Sequence, residues 1–203
     1  MHSLSDSLRF MKTRGFNTAR FYECRNKTQL LSAFDKLDKP VVLKIDSKKY
    51  SHKSEVKGVV LDVNDRKTAV KEFERLMLLG ESVVIQEQQK GTELIFGIIC
   101  DNSFGRLIML GIGGIFVELL DDVSFRACPI NSEDAGEMIE ELKAKKLIKG
   151  FRNNPGISKA LIKKLLVRLS KFAEKSNVKT LDLNPVIFDK NNYYVVDARM
   201  ENF

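Results

Sequence analysis

The chain has 203 residues, of which 43% are hydrophobic and 30% charged, and this composition is typical of a folded globular protein with a sizeable core. No apolar run approaches the ~20 residues of a membrane-spanning helix and no signal-peptide pattern is present, so we expect a cytoplasmic protein without a membrane partner. The three cysteines are far apart and odd in number, which argues against a disulfide framework. The net charge of +7 favours an anionic partner, but the lysines are spread along the chain without a nucleic-acid motif, so we expect a phosphate site and no nucleic acid.

Hydrophobic periodicity and capping residues predict mixed helices and strands along the whole chain. The N-terminal part predicts a helix over Ser5–Arg14, a strand near Asn17–Tyr22, a helix with the stripe Leu30, Leu31, Phe34 and Leu37, strands over Pro40–Ile45 and Gly58–Val63, a helix capped by Asp65, and a buried strand over Ser82–Glu87. The C-terminal part predicts a long strand ending near Asp101, a strand over Phe104–Leu110, a helix capped by Asn131 or Ser132, an amphipathic helix from Ser158, and a final hairpin. This order predicts an α/β (α+β) protein of two close-packed lobes, with no linker long enough to separate independent domains.

The final hairpin is predicted from two apolar runs, 180–188 and 193–199, that flank the turn formers of 189–192. Pairing Phe188 with Tyr193 sets the register of the whole hairpin, and a four-residue or a two-residue loop gives the same pairs. Directly opposed side chains on one face of such a pair lie about 4.5–5.5 Å apart at Cβ.

In that register Asn184 faces Asp197, and Asp182 faces Arg199. An amide oxygen and a carboxylate at that separation can share one Mg²⁺, which favours one or two protein ligands plus water and phosphate oxygens. Asn and Asp are depleted inside strands, so their presence there calls for a reason. The alternative is that both side chains simply face solvent, as polar strand residues usually do.

Other polar residues stand where an anionic ligand could bind. Lys44 is a lone ammonium in an apolar strand, which is costly to bury unless an anion meets it, although it could also reach water from the strand end. Gln86 and Glu87 end a buried strand, where backbone groups can pair with an adenine edge, and Glu93 could accept hydrogen bonds from ribose hydroxyls. His52 lies in a polar, lysine-rich loop; a neutral imidazole can attack a phosphoryl group, but a loop histidine is more often an ordinary surface residue.

Five stretches in a fixed order carry a family resemblance. They are Lys39–Lys44, Ser51–Val60, Gly111–Glu118, Asp122–Arg126 and Leu181–Pro185. Through these five stretches the chain resembles the ATP-grasp subunit of the ADP-forming acyl-CoA synthetases (acetate–CoA ligase type), which are relatives of succinate–CoA ligase. The resemblance extends from about residue 7 to residue 199. The resemblance implies a single ATP-grasp domain over 1–203, with one lobe over about 1–86, a second over about 87–203, and nucleotide between them.

For the nucleotide, the resemblance implies that Lys44 contacts a phosphate, that Glu87 lies at the adenine hinge, and that Glu93 binds the ribose. Gln86, beside Glu87, is a nucleotide-binding candidate from its place at the end of the buried strand. It also implies a magnesium cofactor, with ATP or ADP as substrate. The implied metal ligands are Asn184 and Asp197, the two residues that the hairpin register places face to face.

For the reaction, the resemblance implies the reversible conversion of an acyl-CoA, ADP and phosphate into an acid, CoA and ATP. A CoA-binding alpha subunit carries the main phosphohistidine, in an alpha2-beta2 assembly, and His52 matches a second phosphoryl-carrying histidine. Glu118 and Arg126 match catalytic motif positions. Two residues depart from the family pattern: Lys57 and Asn153 stand where glycine is usual, and Lys57 would stiffen the His52 loop.

Two other functions remain open from the sequence. The chain could be another ATP-grasp ligase, one that makes an acyl phosphate and joins it to an amine; dependence on CoA separates these two. It could also be a basic nucleic-acid-binding module, whose binding would weaken steeply with salt and need little magnesium nucleotide.

Overall fold

The computed structural model describes residues 2–47, 56–113, 122–151 and 154–202. His52, Glu118 and Asn153 lie outside the described residues, so the predictions made for them are not addressed by the fold. The chain divides into two compact units, His2–Gln89 and Lys90–Phe203. The sequence placed the boundary between the lobes at about residue 86.

The first unit consists of an antiparallel sheet with helices. Its elements are α1 (Leu4–Thr13), β1 (Phe21–Cys24), α2 (Lys27–Lys36), β2 (Val41–Asp46), β3 (Val59–Val63), α3 (Arg66–Met77) and β4 (Ser82–Glu87). The strand order is β1-β4-β2-β3. Helices α2 and α3 pack against each other and against this sheet. Their contact encloses an apolar core that includes Leu43, Ile45, Phe73 and Ile85.

The second unit consists of a larger antiparallel sheet with helices. Its elements are β5 (Thr92–Asp101), β6 (Gly105–Ile112), β7 (Val123–Ala127), α4 (Ser132–Glu141), α5 (Lys146–Lys149), β8 (Gly150–Phe151), β9 (Asn154–Pro155), α6 (Lys159–Lys175), β10 (Val178–Phe188), β11 (Tyr193–Val195) and β12 (Arg199–Asn202). The strand order is β11-β10-β5-β6-β7, and β12 also pairs with β10. Strands β8 and β9 form a separate small ribbon. Helices α4 and α6 pack together; α4 contacts β7 and α6 contacts β5 and β6.

Capping side chains begin several helices where the sequence predicts them. Asp65 accepts a hydrogen bond from Thr68 N at 2.9 Å, and the side chain of Ser158 caps α6. Asn131 is the cap of α4, and it forms a capping box with Asp134. Residues 82–87 form a strand as predicted, whereas the first strand begins at Phe21 rather than near Asn17. None of the helices in the described part of the chain has the length and apolar character of a membrane span.

Candidate functional site

The two faces of the first sheet differ in what covers them. Because side chains alternate along a strand, Leu43 and Ile45 point with Ile85 into the core under α2 and α3, whereas Lys44 and Gln86 belong to the opposite face. Strand β4 lies directly beside β2, with Lys44 opposite Val84 and Gln86 opposite Val42. Lys44 is 6% exposed and Gln86 is 1% exposed. The register therefore places the predicted phosphate-binding lysine and a glutamine as diagonal neighbours on one buried face.

Gln86 is a buried polar side chain with an unmet donor. Its Nε2 atom has no hydrogen-bond partner among the described residues. A buried donor without a partner costs about 1–3 kcal/mol, and such groups are rare in folded proteins. An amide held in this state is suited to donate a hydrogen bond to a ligand that enters along this face.

Glu87, at the end of β4, is held by groups of the first unit. Its carboxylate forms an ion pair with Arg20 and accepts a hydrogen bond from Asp38 N at 3.0 Å. Its own N–H donates to Arg20 O at 3.0 Å. Burial alone would raise the pKa of Glu87, but the hydrogen bonds from Arg20 and Asp38 N outweigh it, and the net pKa is lowered. The side chain is thus an anionic anchor for the end of β4.

The larger sheet also has one face covered by helices and one face turned away from them. Phe96, Ile98 and Leu183 are fully or almost fully buried on the side of α4 and α6. The alternating residues of the same strands belong to the other face. Among these, Glu93 and Asn184 are exposed. The predicted ribose-binding carboxylate and one predicted metal ligand therefore share the face away from the helices.

The predicted hairpin register is confirmed on both sides of the candidate metal ligands. Val186 pairs with Val195 and Phe188 with Tyr193 in the β10–β11 ladder. Nearer the N-terminus of β10, Asp182 pairs with Arg199 of β12, as predicted.

Asn184 and Asp197 lie between these two ladders. Residues 196–198 are not in a strand, and the pairing of β10 with β5 shifts register between Leu183 and Val186. Pro185 follows Asn184 and has no N–H to donate to a ladder, which explains an irregularity at this point. Asn184 is exposed and Asp197 is 9% exposed. The sequence prediction that these residues stand opposite each other in the register agrees with the pairs that bracket them.

The donor set at this position suits a hard cation that keeps most of its water. It offers one amide oxygen and one carboxylate, and Mg²⁺ is usually bound by one or two carboxylates together with water and phosphate oxygens. The described residues contain no group of three or more His, Cys, Asp and Glu side chains of the kind that would hold a metal without a substrate. One amide oxygen and one carboxylate are thus compatible with a magnesium ion that takes its other ligands from water or phosphate.

Glu93 is positioned by the end of β6. Its carbonyl oxygen accepts a hydrogen bond from Gly113 N at 2.8 Å. A Cβ atom at Gly113 would lie 2.8 Å from the Cβ of Glu93, so only glycine allows this approach. The glycine-rich stretch thus makes a close sheet connection beside the predicted ribose ligand.

Arg126 lies on the helix-covered face of the larger sheet. It pairs with Ile108 across β6 and β7, and its guanidinium forms ion pairs with Glu137 and Glu141 of α4. The hydrogen bond from Arg126, followed by one from Ser124 at 2.5 Å, lowers the pKa of Glu141. The structure thus brings Glu93 and Asn184 to one face and Arg126 to the other. A direct catalytic role for Arg126 stays a prediction, and its described contacts tie β7 to α4.

Sequence reasoning did not single out Arg20, Asp38, Asp62 or Gln88, which hold the end of β4. One signal was available for Asp62, because an aspartate inside the apolar run 58–63 is unusual for a strand. The other three carry no local signal, since their partners are distant in sequence.

Two compact units, each an antiparallel sheet with helices, are the architecture of a nucleotide-binding domain of the ATP-grasp type. The family model for the ATP-grasp domain matches residues 3–201. The chain therefore belongs to the ATP-grasp family.

Relatives place the chain within that family, beside the ADP-forming acetate–CoA ligases. It is 33% identical over 201 residues to the beta subunit of ADP-forming acetate–CoA ligase I of Pyrococcus furiosus, covering 94% of this chain and 87% of that subunit. It is 37% identical over 198 residues to ADP-forming acetate–CoA ligase II of Archaeoglobus fulgidus, covering 96% of this chain but only 29% of that protein. The chain thus spans less than a third of the Archaeoglobus protein and most of the Pyrococcus subunit.

A solved structure agrees over the whole chain. The acetyl-coenzyme A synthetase 1 of Ca. Korarchaeum cryptofilum, in complex with coenzyme A, Ca-AMPCP and HgCl+, has a TM-score of 0.94 and 32% identity, covering 100% of this chain and 93% of that chain. A further structure of the same protein contains coenzyme A and Mg-AMPPCP. The resemblance seen in the sequence is confirmed, and neither alternative function is favoured by these relatives.

Proposed function

We propose that this chain is the nucleotide-binding catalytic chain of an ADP-forming acyl-CoA synthetase. The reaction is the reversible conversion of acyl-CoA, ADP and phosphate into acid, CoA and ATP through phosphohistidine. The observation that carries the proposal is similarity along almost the full length of a subunit of that enzyme class, at 33% identity over 94% of this chain and 87% of the subunit.

The first unit would contact the base and the phosphates of the nucleotide. Lys44 supplies a positive charge to a phosphate group, where a buried ammonium gains most from an anion. The amide of Gln86 donates to the adenine ring, and the end of β4 at Glu87 presents its backbone to the base edge. The unmet Nε2 donor of Gln86 supports this role, because a base acceptor would satisfy it.

The second unit would contribute ribose and metal ligands. Glu93 accepts hydrogen bonds from the ribose hydroxyls, and its exposure supports this role. Asn184 and Asp197 hold Mg²⁺ through an amide oxygen and a carboxylate oxygen. Magnesium bound there supplies charge neutralisation to the phosphate oxygens, as it does in other phosphoryl transfers.

The chemical step would transfer a phosphoryl group from a histidine nitrogen to ADP. An oxygen of the β-phosphate of ADP attacks phosphorus, the N–P bond breaks, and the imidazole leaves with the electron pair of that bond. This chain contributes by holding ADP in line and by placing Lys44 against the charge, since such catalysis is mainly positioning and electrostatics. We keep His52 as a second phosphoryl carrier and Glu118 and Arg126 as catalytic residues, as proposals from the family pattern alone.

A partner subunit is part of the proposal. The partner is a CoA-binding alpha subunit with the main phosphohistidine, and the assembly is alpha2-beta2. The beta-subunit name of the Pyrococcus relative supports a second subunit. A cytoplasmic location completes the proposal, and the free thiols of the three cysteines are consistent with a reducing compartment.

Reconstitution tests the proposal. The chain is mixed with its CoA-binding partner, acyl-CoA, ADP, phosphate and Mg²⁺, and the formation of ATP is measured. ATP should form only when both polypeptides are present, and Asp197→Ala should abolish it without unfolding the chain. Full activity in Asp197→Ala would refute the metal assignment, and an amine requirement in place of CoA would refute the reaction class.

Labelling tests His52 separately. With partner and γ-labelled ATP, the wild-type chain should carry an acid-labile phosphate that His52→Asn lacks. Turnover by the partner with no label on this chain would refute the second-carrier role.

A further inference from the structure

The end of β4 is held on both of its sides by hydrogen bonds from backbone and side-chain groups. On the side of β1, Glu87 N donates to Arg20 O and the Glu87 carboxylate binds Arg20 and Asp38 N. On the side of β2, Gln88 N donates to Pro40 O at 3.1 Å. We call Glu87 and Gln88 the β4 exit, because the first unit ends one residue later at Gln89.

Gln88 reaches across β2 to Asp62 of β3 and exchanges two hydrogen bonds with it. Asp62 N donates to Gln88 Oε1 at 2.7 Å, and Gln88 Nε2 donates to Asp62 Oδ1 at 3.0 Å. Strand β3 is not a neighbour of β4 in the sheet, since β2 lies between them. This reciprocal pair therefore links β3 to the β4 exit across the intervening strand β2, through the Gln88 side chain.

Asp62 adopts a backbone conformation that this pair explains. Its φ is +57°, in the left-handed region that residues other than Gly, Asn and Asp seldom adopt. It lies in a β-bulge, because Val41 pairs with Val63 while Leu43 pairs with Val60, so that one extra residue stands on β3. Bulges redirect side chains, and here the bulge residue offers both its N–H and its carboxylate to Gln88.

We propose that Asp62 is a positioning residue for nucleotide binding, which through Gln88 holds the β4 exit in the conformation that the base edge of ADP or ATP requires. The proposal rests on the proposed function, which assigns the base to Gln86 and Glu87. Asp62 itself does not touch the nucleotide. Its effect is on affinity, because without this pair the Gln88 side chain is no longer tied to β3, and that part of the β4 exit must be ordered when the base binds.

The test compares variants that keep or remove the pair. Asp62→Gly keeps the left-handed backbone and removes the carboxylate, and Gln88→Ala removes the other partner. Asp62→Asn keeps an oxygen acceptor and tolerates the same backbone, so it is the conservative variant. Leu61→Ser, at the adjacent exposed residue, is the matched control.

The dissociation constant for Mg-ADP is measured by calorimetry on the intact chain, and KM and kcat are measured with the CoA-binding partner. We expect Asp62→Gly and Gln88→Ala each to raise the dissociation constant and KM by about five- to tenfold, with kcat unchanged. The double variant should be no weaker than either single variant, because both remove the same interaction. Asp62→Asn and Leu61→Ser should bind as the wild type does.

Two results distinguish failure of the positioning role of Asp62 from failure of the proposed function. If the wild-type chain binds Mg-ADP and Asp62→Gly binds it equally well while losing stability to urea, Asp62 serves the fold alone and the proposal is overturned. If the wild-type chain itself does not bind Mg-ADP, the proposed function fails and takes the positioning role with it.

Discussion

Replacing Gln86 with methionine should stabilise the free chain and weaken its binding of nucleotide. Gln86 is 1% exposed, and its Nε2 atom has no partner among the described residues. Methionine has a similar length and no polar hydrogen to satisfy, so it fills the same space without the cost of an unpaired donor. In the complex that we propose, the same donor forms a hydrogen bond with the base, so its removal weakens nucleotide binding.

The magnitude follows from the cost of one buried donor. Removing an unpaired N–H group of this kind gains about 1–3 kcal/mol in the free chain. For a domain of this size each 1 kcal/mol corresponds to a rise in Tm of about 2–4 °C. Losing the hydrogen bond to nucleotide should raise the dissociation constant by a factor of about 5 to 150, which corresponds to roughly 1–3 kcal/mol.

The assay is urea unfolding of Gln86→Met with and without Mg-ADP, together with calorimetric titration. The stability advantage of the variant over the wild type should shrink or disappear when saturating Mg-ADP is added. Gln29→Met, at an exposed glutamine of the same unit, is the control and should change nucleotide affinity little. If Gln86→Met destabilises the free chain and binds Mg-ADP as tightly as the wild type, the amide of Gln86 does not form a hydrogen bond with the base.

Three further predictions concern backbone strain, an ion pair and the reactivity of two cysteines. Lys57 has φ +51°, a left-handed backbone conformation that glycine adopts without strain. Lys57→Gly should therefore raise the free energy of unfolding by about 1 kcal/mol in urea titrations. A lower free energy of unfolding in the variant would contradict the strain expected at this residue. Because Arg126 lowers the pKa of Glu141, their ion pair stabilises the fold above pH 4.5, the ordinary pKa of glutamate, and this contribution is lost as the pH falls below that value. Arg126→Ala should lower the free energy of unfolding by about 1 kcal/mol at pH 7 and make its decrease at acid pH less steep. An unchanged dependence on acid pH would refute the pairing. Burial raises the pKa of Cys24 to about 12, and partial burial raises that of Cys128 to about 11. Iodoacetamide at pH 8 should therefore leave the fully buried Cys24 unlabelled in the native chain, label Cys128 slowly, and label both in urea. Rapid native labelling of Cys24 would contradict its burial.

The parts of the fold that were predictable are those where local signals decide the structure. The turn between β10 and β11 and the apolar runs beside it set the hairpin register, and the pair Phe188–Tyr193 formed as expected. The caps Asp65 and Ser158 also started their helices as expected, because a cap depends on the next three residues only.

The parts that were not predictable depend on partners distant in sequence. Residues 123–127 form an edge strand whose helix-facing side is set by β6 and α4, so the direction of Arg126 could not be read locally. For Asp62 the only sequence signal was an aspartate inside an apolar run, because its bulge depends on the pairing with β2 and its hydrogen bonds on the distant Gln88. The role of Lys44 was suggested by the family pattern and that of Gln86 by its place at the end of an apolar strand, and the fold adds that they share one buried face.

The central claim is that the C-terminal hairpin binds a divalent cation together with nucleotide through Asn184 and Asp197. Mn²⁺ can stand in for Mg²⁺, and the loss of its free electron paramagnetic resonance signal measures binding directly. We predict one tightly bound Mn²⁺ per chain when ADP is present, much weaker binding without ADP, and loss of the tight site in Asp197→Ala. Asp189→Ala, at a carboxylate in the turn of the same hairpin, should retain the site. Tight binding of Mn²⁺ and ADP by Asp197→Ala equal to that of the wild type would contradict the claim.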